Sequence, residues 1–290
     1  MYWAASKLAE ATHVSGTPAL TPTSSATPTP TPTASLNCVG LATSGTKYVA
    51  RNTVRDAIDV YCQKFEYTRS IPGPGVGTYF LNTPETLEIG VTGGLFSDNG
   101  VPTPDDCRIR LYDLLDGCDT NEDGGNPMNW KAGGYTRIDG WNYTITPLHD
   151  RPQYPAQASA YCYYYGDCPS KKKWCEIQIW GLGWGSTDFG KNLSTAFENS
   201  QHLPGLLNRP PLSKSYPWDL TNFDTSFKYE LNEKSRQNSQ QFEWHVAFNT
   251  TTNLINGKYV VEHVPIIMKS AANLGDAPFD AKCDTIFPVS

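Results

Sequence analysis

An α+β chain is what the sequence predicts: two disulfide-bonded modules of split βαβ (ferredoxin-like, βαββαβ) order, behind a disordered Thr/Pro-rich stalk. Three observations carry this. Stretches with apolar residues at period 2 and at period 3.6 follow one another in the same order twice. Eight cysteines, an even number, are spread across both repeats. Residues 14–36 are 16 parts Ser, Thr or Pro in 23, a composition that removes backbone donors and keeps a chain extended. The resulting plan is a remnant of an upstream segment at 1–13, a linker at 14–36, a first module at 37–150 and a second at 151–290. The division falls at the charged, proline-marked Asp150-Arg151-Pro152.

In the first module Lys47–Ala50 reads as a short strand. Asn52–Cys62 places Val54, Ile58 and Tyr61 on one helical face. Gly73-Pro74-Gly75 is a loop, and Thr78–Leu81 and Thr86–Val91 are strands. Asp105-Asp106 opens a helix over Cys107–Asp116, with Ile109, Tyr112 and Leu115, together with Leu111 and Leu114, as its apolar stripe; Gly117 stops it. Tyr135–Ile138 and Trp141–Thr146 flank Asp139-Gly140, the dipeptide of a tight hairpin.

The second module repeats the order. Glu176–Trp180 is a strand, Asp188–Ser200 a helix with Leu193, Ala196 and Phe197 inward, and Ser226–Leu231 and Phe242–Phe248 a strand pair. His263–Asn273 is the last helix and Thr285–Val289 the last strand.

Composition narrows the function. The net charge of −6 and a single basic run, Lys171-Lys172-Lys173, exclude the dense basic face that nucleic acid requires. No apolar run approaches a membrane span. Cys38, Cys62, Cys107, Cys118, Cys162, Cys168, Cys175 and Cys283 fit four disulfides, since none forms Cys-x-x-Cys or zinc-type spacing beside histidines. N-glycosylation sequons stand at Asn142, Asn192 and Asn249. Together they predict a secreted, extracellular glycoprotein.

Helix geometry also predicts pairing. Cys107 and Cys118 flank one helix and lie roughly 16 Å apart at about 1.5 Å per residue, beyond the ~7 Å Cα separation that a disulfide tolerates. Antiparallel helices on one sheet face bring Cys62, at the end of the first, to Cys107, at the start of the second. Cys38 is then left for Cys118.

Chemical motifs are sparse. Asp116-Gly-Cys-Asp119-Thr-Asn121-Glu122 approaches the Asp-Gly-x-Asp-x-Asp-x-Glu of family 18 chitinases. Asn121 stands in place of the inner Asp and Asp123 in place of the general acid. Asp119-x-Asn121-x-Asp123-Gly124 matches the first half of a calcium loop, and equally an Asx-rich turn closing a helix; the twelfth position is Trp130 instead of Glu. His13, His149, His202, His245 and His263 form no metal motif, and Ser186 sits in no Gly-x-Ser-x-Gly. No cofactor or catalytic signature is present. Trp130, Trp141, Trp174, Trp180, Trp184, Trp218 and Trp244 fall on strands or loops. Exposed, they would stack on the flat C–H faces of sugars; buried, they would fill thin cores. Tyr161–Tyr165, a run of four tyrosines around Cys162, reads as a surface patch or as the cover of a disulfide.

The stretch CRIRLYDLLDGCDTNEDGGNPMNWKAGGYTRIDGWNYTITPL (Cys107–Leu148), with YVARNTVRDAIDVYC upstream, resembles the C-terminal module of fungal secreted killer-toxin-like chitinases of glycoside hydrolase family 18. The second half, with IWGLGWGSTDFGKNL and FEWHVAFNT, is similar to fungal secreted effector-like proteins. The resemblance implies secretion and a role at a cell wall or host interface, without implying catalysis. The expectation is a non-catalytic accessory or effector/toxin-like module that meets cell-wall chitin or glucan, or a host or competitor surface. The alternative is a glycoside hydrolase working through two scattered acids.

Overall fold

A computed structural model describes residues 35–66, 75–93, 100–121, 125–154, 157–165, 176–200, 218–234, 241–250, 257–274 and 277–286. Ala34–Ser290 forms one unit. The expectations for 1–13 and for most of 14–36 lie outside the described residues.

The first half contributes β1 (Leu36–Cys38), α1 (Leu41–Ser44), β2 (Val49–Ala50), α2 (Arg51–Gln63), β3 (Gly75–Tyr79), β4 (Leu87–Gly93), α3 (Pro104–Gly117), β5 (Trp130–Lys131), β6 (Gly134–Ile138) and β7 (Trp141–Pro147). Local chemistry sets these bounds. Thr103 and Asp106 close a reciprocal capping box ahead of α3, with Pro104 at its first position. Asp139 and Gly140 both take positive φ, 52° and 80°, which two-residue hairpin turns of type I′ require, so β6 and β7 pair directly. In α3 the buried stripe is Cys107, Leu111, Leu114 and Leu115, at spacings of four, seven and eight residues. Ile109, expected inward, is 54% exposed.

A five-stranded sheet runs β1-β6-β7-β4-β3, and α2 and α3 cover one face of it. Leu87, Ile89, Val91, Trp141, Tyr143 and Ile145 meet Val54, Ile58 and Tyr61 of α2 in a closed core. Cys62 is bonded to Cys107, clamping α2 to α3 with a Cα separation of 5.6 Å, and Cys38 is bonded to Cys118. Both pairs match the helix argument.

The second half contributes β8 (Ala158–Tyr165), β9 (Glu176–Leu182), α4 (Lys191–Asn199), β10 (Trp218–Asp219), α5 (Phe223–Ser226), β11 (Lys228–Lys234), β12 (Gln241–Thr250), α6 (Gly257–Ala272) and β13 (Phe279–Ile286). The sheet order is β10-β12-β9-β8-β13, with β11 also on β12. Cys162 and Cys283 face each other in the parallel pair of β8 and β13 and are bonded. Cys168 and Cys175 lie outside the described residues.

The α+β class holds, but neither sheet has the ferredoxin-like order. Every pair in the first sheet is antiparallel. The strand ahead of α2 is two residues long and pairs with β5 in a separate ribbon, so no βαβ crossover is built there. In the second sheet β8, which alternation does not reveal, becomes an interior strand, and the one parallel pair joins it to β13 after α6.

Arg151 ties the halves together. Its guanidinium is fully buried and reaches Glu85 of the first half at 2.6 Å and Glu243 of β12 at 2.6 Å. It also lies over the rings of Tyr48 and Trp130. Burial raises the Glu85 carboxyl above its ordinary value, while Arg151 pulls the other way.

Candidate functional site

The face of the first sheet turned away from α2 and α3 is open. Strand alternation places polar side chains there. One row across the sheet runs Asn37, Tyr135, Thr144, Gly90 and Val76. The rows beside it are Arg137, Asn142 and Thr92, and Thr146, Glu88 and Thr78. Tyr135 is 49% exposed, on a face that also carries hydroxyl, amide and guanidinium groups.

A groove of about 650 Å³ is lined by Tyr135, Arg137, Asn142, Thr144 and Thr146, together with Ser44, Lys47 and the apolar Val39, Ala132, Ile145 and Pro147. On the same face, Gly90 pairs with Thr144 across β4 and β7. Thr144 Oγ1 donates to the Gly90 carbonyl at 3.3 Å, and a Cβ at residue 90 would stand 2.7 Å from that hydroxyl. An aromatic platform with donors and acceptors on both sides is the chemistry that grips a sugar: C–H faces stack on the ring while ring hydroxyls find polar partners.

Residues 33–148 match the "Fungal lectin 2" family model, described as "Putative glycan binding domain". Every residue that lines the groove falls inside that span. No curated protein and no solved structure matches the chain.

The sequence-predicted residues take other places. Trp130, Trp141, Trp180, Trp184, Trp218 and Trp244 are all 4% exposed or less, which removes them as a sugar-stacking row; Trp174 lies outside the described residues. Tryptophan offers the largest apolar area to bury, and here that outweighs its use as a platform. The exposed large aromatics among the described residues are instead Tyr135 and Phe189. Alternation in Gly134–Ile138 was the signal for Tyr135. Tyr161, Tyr163 and Tyr164 belong to β8 and are buried, which corrects the surface-patch reading. His245 is half-buried and stacks on Trp180 at 4.7 Å. His13, His202, Asp123 and Lys171–Lys173 lie outside the described residues.

Asp119 and Asn121 build a turn whose oxygens are already engaged. Asp119 accepts from the Leu41 and Ala132 amides, at 2.9 and 2.8 Å, and Asn121 accepts from Asn126 N. The buried Lys131 ammonium donates to the carbonyls of Cys118 and Asp119, at 2.7 and 3.3 Å. Burial lowers its pKa, with Asp119 and Asp116 opposing that shift. The side-chain oxygens that a calcium reading would offer to a cation thus already accept from backbone amides, with an ammonium on the carbonyls beside them, and no metal-type cluster occurs among the described residues. The fully buried acids, Glu85 and Glu243, both rest on Arg151 and do not face each other across a cleft.

Of the sequon asparagines, Asn142 lines the groove, Asn249 is half-buried on β12, and Asn192 is exposed in the first turn of α4. No helix among the described residues is long and apolar enough to cross a membrane.

Proposed function

We propose that the protein is a secreted, non-catalytic carbohydrate-binding module whose glycan seat is the open face of the first sheet. Its ligand class is cell-wall polysaccharide of the chitin or glucan type. The single observation that carries this is the exposed Tyr135 ring set among Arg137, Asn142 and Thr144, inside the segment that matches a glycan-binding family. Tyr135 supplies the stacking face; Arg137 donates to sugar hydroxyls or an N-acetyl carbonyl; Thr144 and Thr146 both donate and accept. An accessory part beside a chitinase-type enzyme, and an effector- or toxin-like part at a host or competitor wall, would each use this seat.

Titration calorimetry with soluble chitin and β-glucan oligomers tests the assignment. Tyr135→Ala weakens binding about tenfold, the equivalent of ~1.4 kcal/mol, and leaves the thermal midpoint in place because the ring packs against little. Unchanged affinity in that variant overturns the seat.

A further inference from the structure

A second exposed aromatic stands on the other half of the molecule. Phe189 is 53% exposed and has a φ of 53°, a left-handed conformation that a bulky side chain adopts only under strain. Its surroundings hold it there. The Phe189 amide donates to Tyr229 Oη at 2.9 Å, and that hydroxyl donates to the Gly185 carbonyl. The next residue is fixed as glycine, with a φ of 77° and with the Phe227 ring occupying the space that a Cβ would need. Tyr229 meets the Phe189 ring at its edge, at 5.1 Å and 66°. The turn therefore uses backbone strain to keep an aromatic ring in water, the reverse of what core packing favours.

Three residues on, in the same turn of chain, is Asn192 of the sequon Asn192-Leu193-Ser194. Asn192 is exposed, and its backbone is pinned by a 2.9 Å bond from its amide to Asp188 Oδ2. We infer that Asn192 carries an N-linked glycan and that Phe189 is the platform on which its first N-acetylglucosamine stacks. The linkage forms when Asn192 Nδ2 attacks C1 of the sugar. The C1–O bond to a lipid-diphosphate oligosaccharide donor breaks, the lipid diphosphate leaves, and an amide proton is lost. The inference rests on the secreted reading above, because that donor and its transferase belong to the secretory route.

Protein collected from the medium of a eukaryotic secretory host tests it, by glycopeptide mass spectrometry and thermal midpoints. The Asn192 peptide carries glycan. Trimming every glycan to one N-acetylglucosamine leaves the midpoint unchanged, whereas Asn192→Gln lowers it by about 3 °C, the scale of a contact worth ~1 kcal/mol. In a Phe189→Ala background, Asn192→Gln produces no further drop. An unoccupied Asn192 in protein from the medium overturns the inference, as does an equal drop in both backgrounds or a loss on trimming. Retention in the cell with all three sequons bare instead overturns the secreted reading, and the sugar titrations on Tyr135 report separately on the glycan seat.

Discussion

In the first sheet, β6 and β7 send Thr136, Tyr143 and Ile145 into the core and Tyr135, Arg137, Asn142 and Thr144 outward. In the second, β8 sends Ala160, Cys162 and Tyr164 into one buried layer and Tyr161 and Tyr163 into another. One sheet is half core and half open surface; the other is core on both sides. A sheet with two buried faces holds a framework in place, while a sheet with one free face can meet a ligand without moving anything. The contrast is the reason the proposed glycan seat is sought in the first half and not in the second.

The largest effect expected on this division comes from the residue that bridges it. Arg151→Ala leaves the buried Glu85 and Glu243 carboxylates without their cation and costs about 3–5 kcal/mol. Chemical denaturation followed by tryptophan fluorescence should show both halves losing stability; loss confined to one would mean that they do not share this ion triad. A smaller cost follows from Lys131→Met, which leaves the Cys118 and Asp119 carbonyls short of a donor. About 2 kcal/mol is expected, again read from denaturation midpoints. Millimolar calcium should not shift the thermal midpoint of the unmutated protein, since the side-chain oxygens of Asp119 and Asn121 already accept from backbone amides; a clear rise would show the turn to be a metal loop after all.

The smallest effect is at the surface. Asp116 accepts two bonds from Arg51, at 2.6 and 2.8 Å, and this pairing holds its carboxyl below its ordinary value. A depressed carboxylate stabilises the fold above its unfolded pKa and loses that contribution as pH falls through its folded one. With Asp116 half exposed, Asp116→Asn should cost no more than ~1 kcal/mol at pH 7. The gap to the unmutated protein should close as pH is lowered from 5 toward 2, and a gap that widened on acidification would contradict the pairing.

Much of this architecture is legible in the residues. Amphipathic spacing located α2 and α3, Asp139-Gly140 located the β6–β7 hairpin, and the antiparallel helix pair gave both disulfides of the first half. β8 is not legible in that way. Ala158–Tyr165 is buried on both faces, so it has no alternation to display, and a run of tyrosines reads equally well as surface. The ferredoxin-like order misled for a related reason: element order repeats, but pairing depends on strand length, and Val49–Ala50 is too short to enter the main sheet. Tyr135 is marked by its place on an alternating strand with polar neighbours and not by ring size, since the larger tryptophan rings go to the core.

The bridge at Arg151 has a practical side. The segment that matches the glycan-binding family stops at residue 148, three positions before the guanidinium that neutralises Glu85. A fragment cut at that boundary would carry the whole groove proposed as the glycan seat yet inherit an acid whose counter-ion was left behind on the discarded piece. Pruning toward a minimal sugar-binding unit therefore has to retain the tail through Arg151, or replace Glu85 with a neutral side chain of the same shape.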